Sequence, residues 1–106
     1  MLSEEDRKIT IEFQKRLSEV ISILDLRIFG SRARGDAVSD SDLDIFIVVE
    51  TCSPKLRQKI DEIAWEVGFE RDRIISTIVV TREQLESGPL KASPFMHNVQ
   101  RDGVQV

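Results

Sequence analysis

Two aspartates separated by one residue are the part of this sequence best suited to chemistry. Asp42 and Asp44 flank Leu43 at the start of an apolar run. Alternate side chains of a strand point to the same side, so both carboxylates would share one face, about 6.6–7 Å apart. Their mutual repulsion and desolvation are relieved by a hard cation, and Mg²⁺ binds through one or two carboxylates together with phosphate oxygens and water. We therefore predict that Asp42 and Asp44 bind Mg²⁺ or Mn²⁺ and act in catalysis.

A glycine–serine pair precedes the aspartates by ten residues and suggests what the metal would meet. Gly30 allows the backbone to approach a phosphate closely, and Ser31 is a candidate helix cap whose following N–H groups can donate to phosphate oxygens. Arg32 and Arg34 add two cations beside this turn. These four residues are predicted to bind a nucleotide. The alternative is that these residues form an ordinary turn whose arginines are solvated. The ten-residue spacing between the glycine–serine pair and the aspartates favours nucleotide binding over that alternative.

Hydrophobic periodicity predicts the elements that position these residues. Ser53 and Pro54 mark the start of the second helix, and Gly68 is the candidate for its end. The predicted elements are a helix over 4–22, a strand over 24–29, a loop over 30–41, a central strand over 43–49, a helix after Ser53, a strand over 74–81, a short helix near 82–86 and a docking segment near 95–99.

The order of these elements predicts one small α/β (α+β) domain covering residues 1–106. A right-handed crossover through the second helix would make the strands on either side of it parallel. We expect a mixed sheet of three to four strands with helices packed on one face. The central strand is nearly continuous in apolar residues, which is typical of a strand covered on both sides.

Composition excludes several classes of protein. The chain has 106 residues and a formal charge of −4, which argues against gripping nucleic acid mainly through phosphates. The single cysteine, Cys52, excludes an internal disulfide, and with the single histidine, His97, it cannot assemble a zinc site. The polar start of the chain and the absence of a membrane-length apolar run lead us to expect a cytoplasmic protein.

Two segments resemble the signature of the nucleotidyltransferase superfamily that includes DNA polymerase beta. They are Gly-Ser-Arg-Ala-Arg-Gly-Asp from Gly30 to Asp36 and Ser-Asp-Leu-Asp from Ser41 to Asp44. The short chain is similar to the minimal branch, whose members are commonly encoded beside a HEPN-domain partner as the antitoxin of a toxin–antitoxin pair.

The resemblance implies a reaction and roles for individual residues. Gly30 and Ser31 would contact the phosphates of ATP, and Asp42 and Asp44 would be the metal ligands. AMP would pass from ATP to a hydroxyl group, with pyrophosphate leaving. In antitoxin members of the branch, the acceptor is a tyrosine of the HEPN toxin.

One departure from the family pattern leaves the function open. Active members carry a third carboxylate on the third strand, where this chain has Ser76, and Asp72 at the strand's edge is a possible substitute. The alternatives are therefore an active enzyme and a catalytically weak nucleotide-binding antitoxin that neutralises its partner by contact. An aminoglycoside-type enzyme is disfavoured because 106 residues leave no second domain for an acceptor pocket.

The sequence also leaves some other features open. A homodimer and a hetero-oligomer are both compatible with it. Trp65 lies near the apolar stripe of the second helix, where a core or interface position is expected, and His97 is expected to be packed or exposed rather than catalytic.

Overall fold

The computed structural model describes residues 2–30 and 42–106. Its elements follow the predicted order and form an α+β fold. They are α1 (Glu4–Ser18), β1 (Ile23–Phe29), β2 (Leu43–Val49), α2 (Pro54–Arg71), β3 (Ile75–Thr81), α3 (Arg82–Ser87), a 3-10 turn (Pro89–Ala92) and α4 (Pro94–Asp102).

The three strands form a mixed sheet in the order β1-β2-β3. β1 is antiparallel to β2, and β2 is parallel to β3 across the helical crossover of α2, as predicted. A single antiparallel bridge between Ile28 and Val104 adds a third, one-residue pairing on the outer side of β1. The described sheet has three strands, within the predicted range of three to four, with β2 in the centre.

The first helix is shorter than its periodicity suggested. The Ser3 hydroxyl caps α1 by accepting from the Asp6 N–H at 3.0 Å. The helix ends at Ser18 instead of residue 22, and the Ile21 N–H still donates to the Leu17 carbonyl at 3.1 Å in a closing turn. The chain turns here because β1 must begin at Ile23.

The second helix begins as predicted but passes through the glycine expected to end it. The Ser53 hydroxyl accepts from the Leu56 N–H at 3.1 Å, and Pro54 is the first helical residue. The prediction that Gly68 closes α2 is wrong. The helix continues to Arg71, and Asp72 supplies the left-handed C-cap residue with φ 56°. Gly68 is required instead by close packing, since a Cβ there would lie 2.5 Å from the Arg73 carbonyl oxygen.

Both faces of the sheet are covered. The long helices α1 and α2 pack on one face, as predicted, against the side chains of Leu43, Ile45, Ile47 and Val49. The C-terminal segment forms a smaller layer on the other face, where Met96 and Val99 pack on Phe46 and Val48. The predicted arrangement did not include this second layer. It agrees with the sequence of β2, whose nearly continuous apolar residues predicted a strand covered on both sides.

An ion pair joins α1 to the connection between α2 and β3. An Asp6 carboxylate oxygen lies 3.0 Å from the guanidinium of Arg73, and the Asp6 side chain is only 2% exposed. Glu5 lies 3.4 Å from the same guanidinium. This pairing fixes the start of β3 against the first helix. Within the described part of the chain, no helix is long and apolar enough to cross a membrane.

Candidate nucleotide and metal site

The start of β2 places the two aspartates on one side of the sheet. Asp42 is exposed, Leu43 is fully buried and Asp44 is half-buried. Leu43 belongs to the core beneath α1 and α2, so Asp44 faces the opposite side, which also carries the C-terminal layer. Asp42 immediately precedes the strand, so the shared face of the two carboxylates stays a prediction.

Asp44 has a neighbour on each adjacent strand. Its antiparallel partner on β1 is Phe29, and its parallel partner on β3 is Ser76. Residues paired in register direct their side chains to the same face, so the half-buried Ser76 side chain lies next to Asp44. On the other flank, Phe95 of α4 packs edge-on against Phe29, with ring centroids 5.5 Å apart. Asp44 therefore lies between the aromatic side chains on the β1 side and Ser76 on the β3 side.

Gly30 follows β1 directly and packs against the Asp44 carboxylate. Its φ of 75° lies in the left-handed region that favours glycine. A Cβ at this position would overlap Asp44 Oδ2. Sequence reasoning assigned Gly30 to close approach by a phosphate. The described structure adds a contact that only the pairing of β1 with β2 creates, between the Gly30 backbone and the carboxylate.

The remaining residues of the predicted cradle lie outside the described residues. They are Ser31, Arg32 and Arg34, within the segment 31–41. Their roles as nucleotide ligands stay predictions.

The described residues contain no group of three or more His, Cys, Asp or Glu side chains placed to hold a metal ion. Asp72 is exposed at the C-cap of α2 and is not brought into a metal-holding group with Asp42 and Asp44. His97 is exposed on α4. The described neighbours at this point are the Asp44 carboxylate and the Ser76 hydroxyl, with Asp42 two residues before Asp44. Oxygen donors of this kind suit a hard cation that takes its other ligands from phosphate and water.

Sequence reasoning missed a cluster of apolar side chains elsewhere on the surface. Trp65 is 67% exposed, which excludes the core position and leaves the interface position of the two that were expected, and Phe69 and Ile74 are also exposed. The signal was available for the two aromatic residues. Both stand four residues apart on α2, outside the buried stripe of Ile60, Ile63, Ala64 and Val67.

Comparisons with known proteins agree on one family. The sequence model of the nucleotidyltransferase domain matches residues 7–100. A protein of Methanocaldococcus jannaschii, named as a candidate protein adenylyltransferase, is 36% identical over 102 residues, covering 93% of this chain and 96% of the relative.

Solved structures show the same fold at lower identity. A toxin–antitoxin crystal structure with AMP-PNP superposes with a TM-score of 0.59 at 19% identity, over 97% of this chain and 72% of the other. A candidate minimal nucleotidyltransferase superposes with a TM-score of 0.56 at 20% identity, over 95% of each chain. A Sulfolobus solfataricus protein, described as a candidate nucleotidyltransferase, gives 0.55 at 20% identity, over 96% of this chain and 82% of the other.

Proposed function

The chain belongs to the nucleotidyltransferase domain family, and from this premise we propose that Asp42 and Asp44 hold Mg²⁺ or Mn²⁺ against the triphosphate of ATP. The observation that carries the proposal is the geometry at the start of β2. Asp44 is half-buried on the side of the sheet opposite α1 and α2, the Gly30 backbone packs against its carboxylate, and the exposed Asp42 lies two residues before it. Two carboxylates this close in sequence are unfavourable without a compensating cation.

The residues of the chain divide the work of binding. Asp42 and Asp44 provide oxygen ligands, which Mg²⁺ and Mn²⁺ prefer. Gly30 keeps the space beside Asp44 free of a side chain. Ser31, Arg32 and Arg34 are proposed to donate to the phosphates. When bound, the metal neutralises charge that develops on the leaving pyrophosphate.

The proposed reaction is transfer of AMP from ATP to a hydroxyl group of a partner protein. The acceptor oxygen forms a bond to the α-phosphorus, the bond from that phosphorus to the pyrophosphate oxygen breaks, and the hydroxyl proton passes to water. The name of the M. jannaschii relative supports a protein acceptor. The toxin–antitoxin assembly among the structural neighbours supports an antitoxin role. A HEPN-domain toxin is the partner that the sequence resemblance implies.

One observation favours a second candidate function. Ser76 occupies the position beside Asp44 on β3, and a serine hydroxyl does not accept a proton near neutral pH. In the second candidate, the protein binds ATP and metal as structural ligands and neutralises its partner by contact, with little or no transfer. Both candidates share the site and differ only in turnover.

Transfer of labelled AMP separates the two candidates. Purified protein is incubated with α-labelled ATP, Mg²⁺ and the product of the neighbouring gene, for the chain as it is and for Asp42→Asn/Asp44→Asn. An enzyme labels the partner, and the double substitution lowers labelling at least roughly 100-fold because the metal is lost. Toxin neutralisation without labelling, unchanged by the double substitution, overturns the enzymatic candidate.

Asp72→Asn is the matched control for that experiment. It removes an exposed carboxylate outside the pair, and asparagine tolerates the left-handed conformation of this residue. Labelling is expected to persist in Asp72→Asn. Loss of labelling there would show that Asp72 acts as the third carboxylate.

A further inference from the structure

The end of β1 determines where Gly30 lies, and the C-terminal segment (residues 94–106) holds that end from two sides. Phe29 is the last residue of β1 and the antiparallel partner of Asp44. Gly30 follows it, and the Gly30 backbone packs against the Asp44 carboxylate. Local opening is easiest where few contacts hold the backbone. The contacts that fix the last residues of β1 therefore also fix the geometry beside Asp44.

A backbone bridge holds Ile28 from the outer side of β1. The Ile28 N–H donates to the Val104 carbonyl at 2.9 Å, and the Val104 N–H donates to the Ile28 carbonyl at 2.8 Å. Ile28 is fully buried, so this pair of hydrogen bonds is shielded from competition by water. The bridge therefore fixes the backbone two residues before Gly30.

The segment that forms this bridge is itself anchored on both sides. Before the bridge, the Gly103 N–H donates to the Val99 carbonyl at 2.7 Å, where the chain leaves α4. After it, the Gln105 amide donates to the Asp25 carboxylate at 2.8 Å, and Val106 packs on the core beneath α1 and α2. The bridge is therefore fixed to α4 at one end and to β1 and the core at the other.

Phe95 of α4 holds the neighbouring residue from the face of the sheet. Its ring meets the Phe29 ring edge-on, with centroids 5.5 Å apart and an interplanar angle of 89°. The Phe95 centroid also lies 6.1 Å from that of Phe46 on β2. Ring quadrupoles favour edge-on pairs, so the contact with Phe29 prefers one orientation. Phe95 therefore joins the end of β1 to the start of β2 on the face of the sheet that carries Asp44.

We propose that Phe95 and Val104 are positioning residues for the nucleotide site. They hold the last two residues of β1, and in this way they keep the Gly30 backbone against the Asp44 carboxylate and fix the direction in which that carboxylate meets a metal ion. Their role rests on the proposed function of Asp44 as a metal ligand. The C-terminal segment thus contributes to binding without itself contacting the metal.

The same layer contains a comparison residue. Leu85 of α3 belongs to the apolar cluster that Phe95 packs against. However, α3 packs against β3, whereas α4 packs against β1. Replacing Leu85 should therefore weaken the layer without loosening the end of β1.

Phe95→Leu and Val104→Pro are the two test substitutions. Proline at position 104 removes the N–H that donates to Ile28 and leaves the carbonyl in place. Gly103 has φ −65° and ψ 135°, the extended backbone that a following proline requires. The matched controls are Leu85→Ala and Val104→Ala, which keeps both hydrogen bonds of the bridge. Circular dichroism checks folding, and Phe95→Leu decides the test if Val104→Pro does not fold.

Calorimetric titration with ATP at saturating Mg²⁺ measures the effect on the site. We expect Phe95→Leu and Val104→Pro each to raise the Kd roughly tenfold, which is the scale for loss of a group that orients a metal ligand. Leu85→Ala and Val104→Ala should bind ATP as the unmodified chain does.

A second measurement needs no ligand. The Cβ of Gly30→Ala overlaps the Asp44 carboxylate only while the end of β1 is held in place. Gly30→Ala should therefore lower the urea midpoint less in a Phe95→Leu background than in the unmodified chain. In a Leu85→Ala background the two substitutions should be additive.

The outcomes separate this role from the function of the site. An unchanged Kd in Phe95→Leu, or equal weakening by Leu85→Ala, overturns the positioning role. A Gly30→Ala effect that is the same in every background also overturns it. If the unmodified chain binds no ATP, the proposed function of the site fails, and the urea midpoints alone decide whether Phe95 holds Gly30 against Asp44.

Discussion

Ser76 lies beside Asp44 in the parallel register of β2 and β3, where the family resemblance places a third carboxylate. Ser76→Asp should therefore convert a binding site into a more active one, because the new carboxylate adds a metal ligand and a proton acceptor. We expect AMP transfer to increase at least roughly tenfold. The measurement is labelling of the HEPN partner with α-labelled ATP.

A thermal measurement accompanies this prediction. Three adjacent carboxylates repel one another, so Ser76→Asp should melt at a lower temperature without metal and recover with Mg²⁺. Ser76→Asn, which adds size without charge, should show neither effect. Unchanged transfer in Ser76→Asp, with ATP binding intact, would contradict the assignment of this position.

Gly30 is the second residue whose substitution tests the site. Gly30→Ala forces a non-glycine residue to φ 75° and overlaps its Cβ with Asp44 Oδ2. We expect a loss of about 1–3 kcal/mol in the free energy of unfolding, together with weaker ATP binding. Chemical denaturation and calorimetric titration measure the two effects.

A double-mutant cycle separates the two causes. In an Asp44→Ala background the steric overlap is gone and only the backbone strain remains, so Gly30→Ala should cost less there. Equal losses in both backgrounds would mean that the contact between Gly30 and Asp44 does not contribute to the free energy of unfolding.

At the scale of elements, the pairing of Asp6 with Arg73 joins α1 to the start of β3. Arg73→Ala leaves a carboxylate that is 2% exposed without its guanidinium. The expected loss is about 3 kcal/mol in the free energy of unfolding, measured by urea denaturation. That is a large part of the 5–15 kcal/mol typical of a domain.

Arg16→Ala is the matched control for this prediction. Arg16 also links α1 to α2, through Glu70 at 2.6 Å, and that hydrogen bond raises the pKa of Arg16. Its pair is accessible to solvent, so the loss should be much smaller than for Arg73→Ala. Similar losses for the two arginines would show that burial of Asp6 is not what gives the Arg73 pair its strength.

The sequence predicted elements well where the signal was local. Leu43–Val49 is bounded as predicted because its apolar run is continuous, and the start of α2 follows from Ser53 and Pro54. The end of α2 depended on Asp72 adopting a left-handed conformation, and on tertiary packing at Gly68, which local patterns do not reveal.

The sequence did not predict the second layer, again because tertiary packing rather than a local pattern brings its residues together. Its apolar residues come from three short segments with no common period. They are Leu85, Leu90, Phe95, Met96 and Val99. Only the sheet brings them together, so the sequence indicated a docking segment near residues 95–99 without showing which face it would cover.

Part of the site was likewise predictable and part was not. Alternation along β2 predicts the face of Asp44, and the position of Ser76 beside it follows from the phase of the third strand. The contact of Gly30 with Asp44 depends on the antiparallel register of β1 and β2, so only the fold reveals it.

At the scale of the whole molecule, the candidate site and the exposed apolar side chains belong to different parts of the fold. Asp44 faces the side of the sheet that carries the C-terminal layer, while Trp65, Phe69 and Ile74 lie beside α2 and the start of β3. Substitutions of these apolar residues are therefore expected to leave nucleotide binding intact.

The most direct test of the central claim is the thermal midpoint of the free protein with Mg²⁺ and ATP. At a free ligand concentration of about 100 times Kd, binding stabilises the folded state by about 2.7 kcal/mol. For a domain of this size the midpoint should rise by about 10 °C. The increase should vanish in Asp42→Asn/Asp44→Asn and persist in Asp72→Asn. An unchanged midpoint at millimolar Mg²⁺ and ATP, or an equal increase in the double substitution, would contradict the assignment of Asp42 and Asp44 as the metal–nucleotide site.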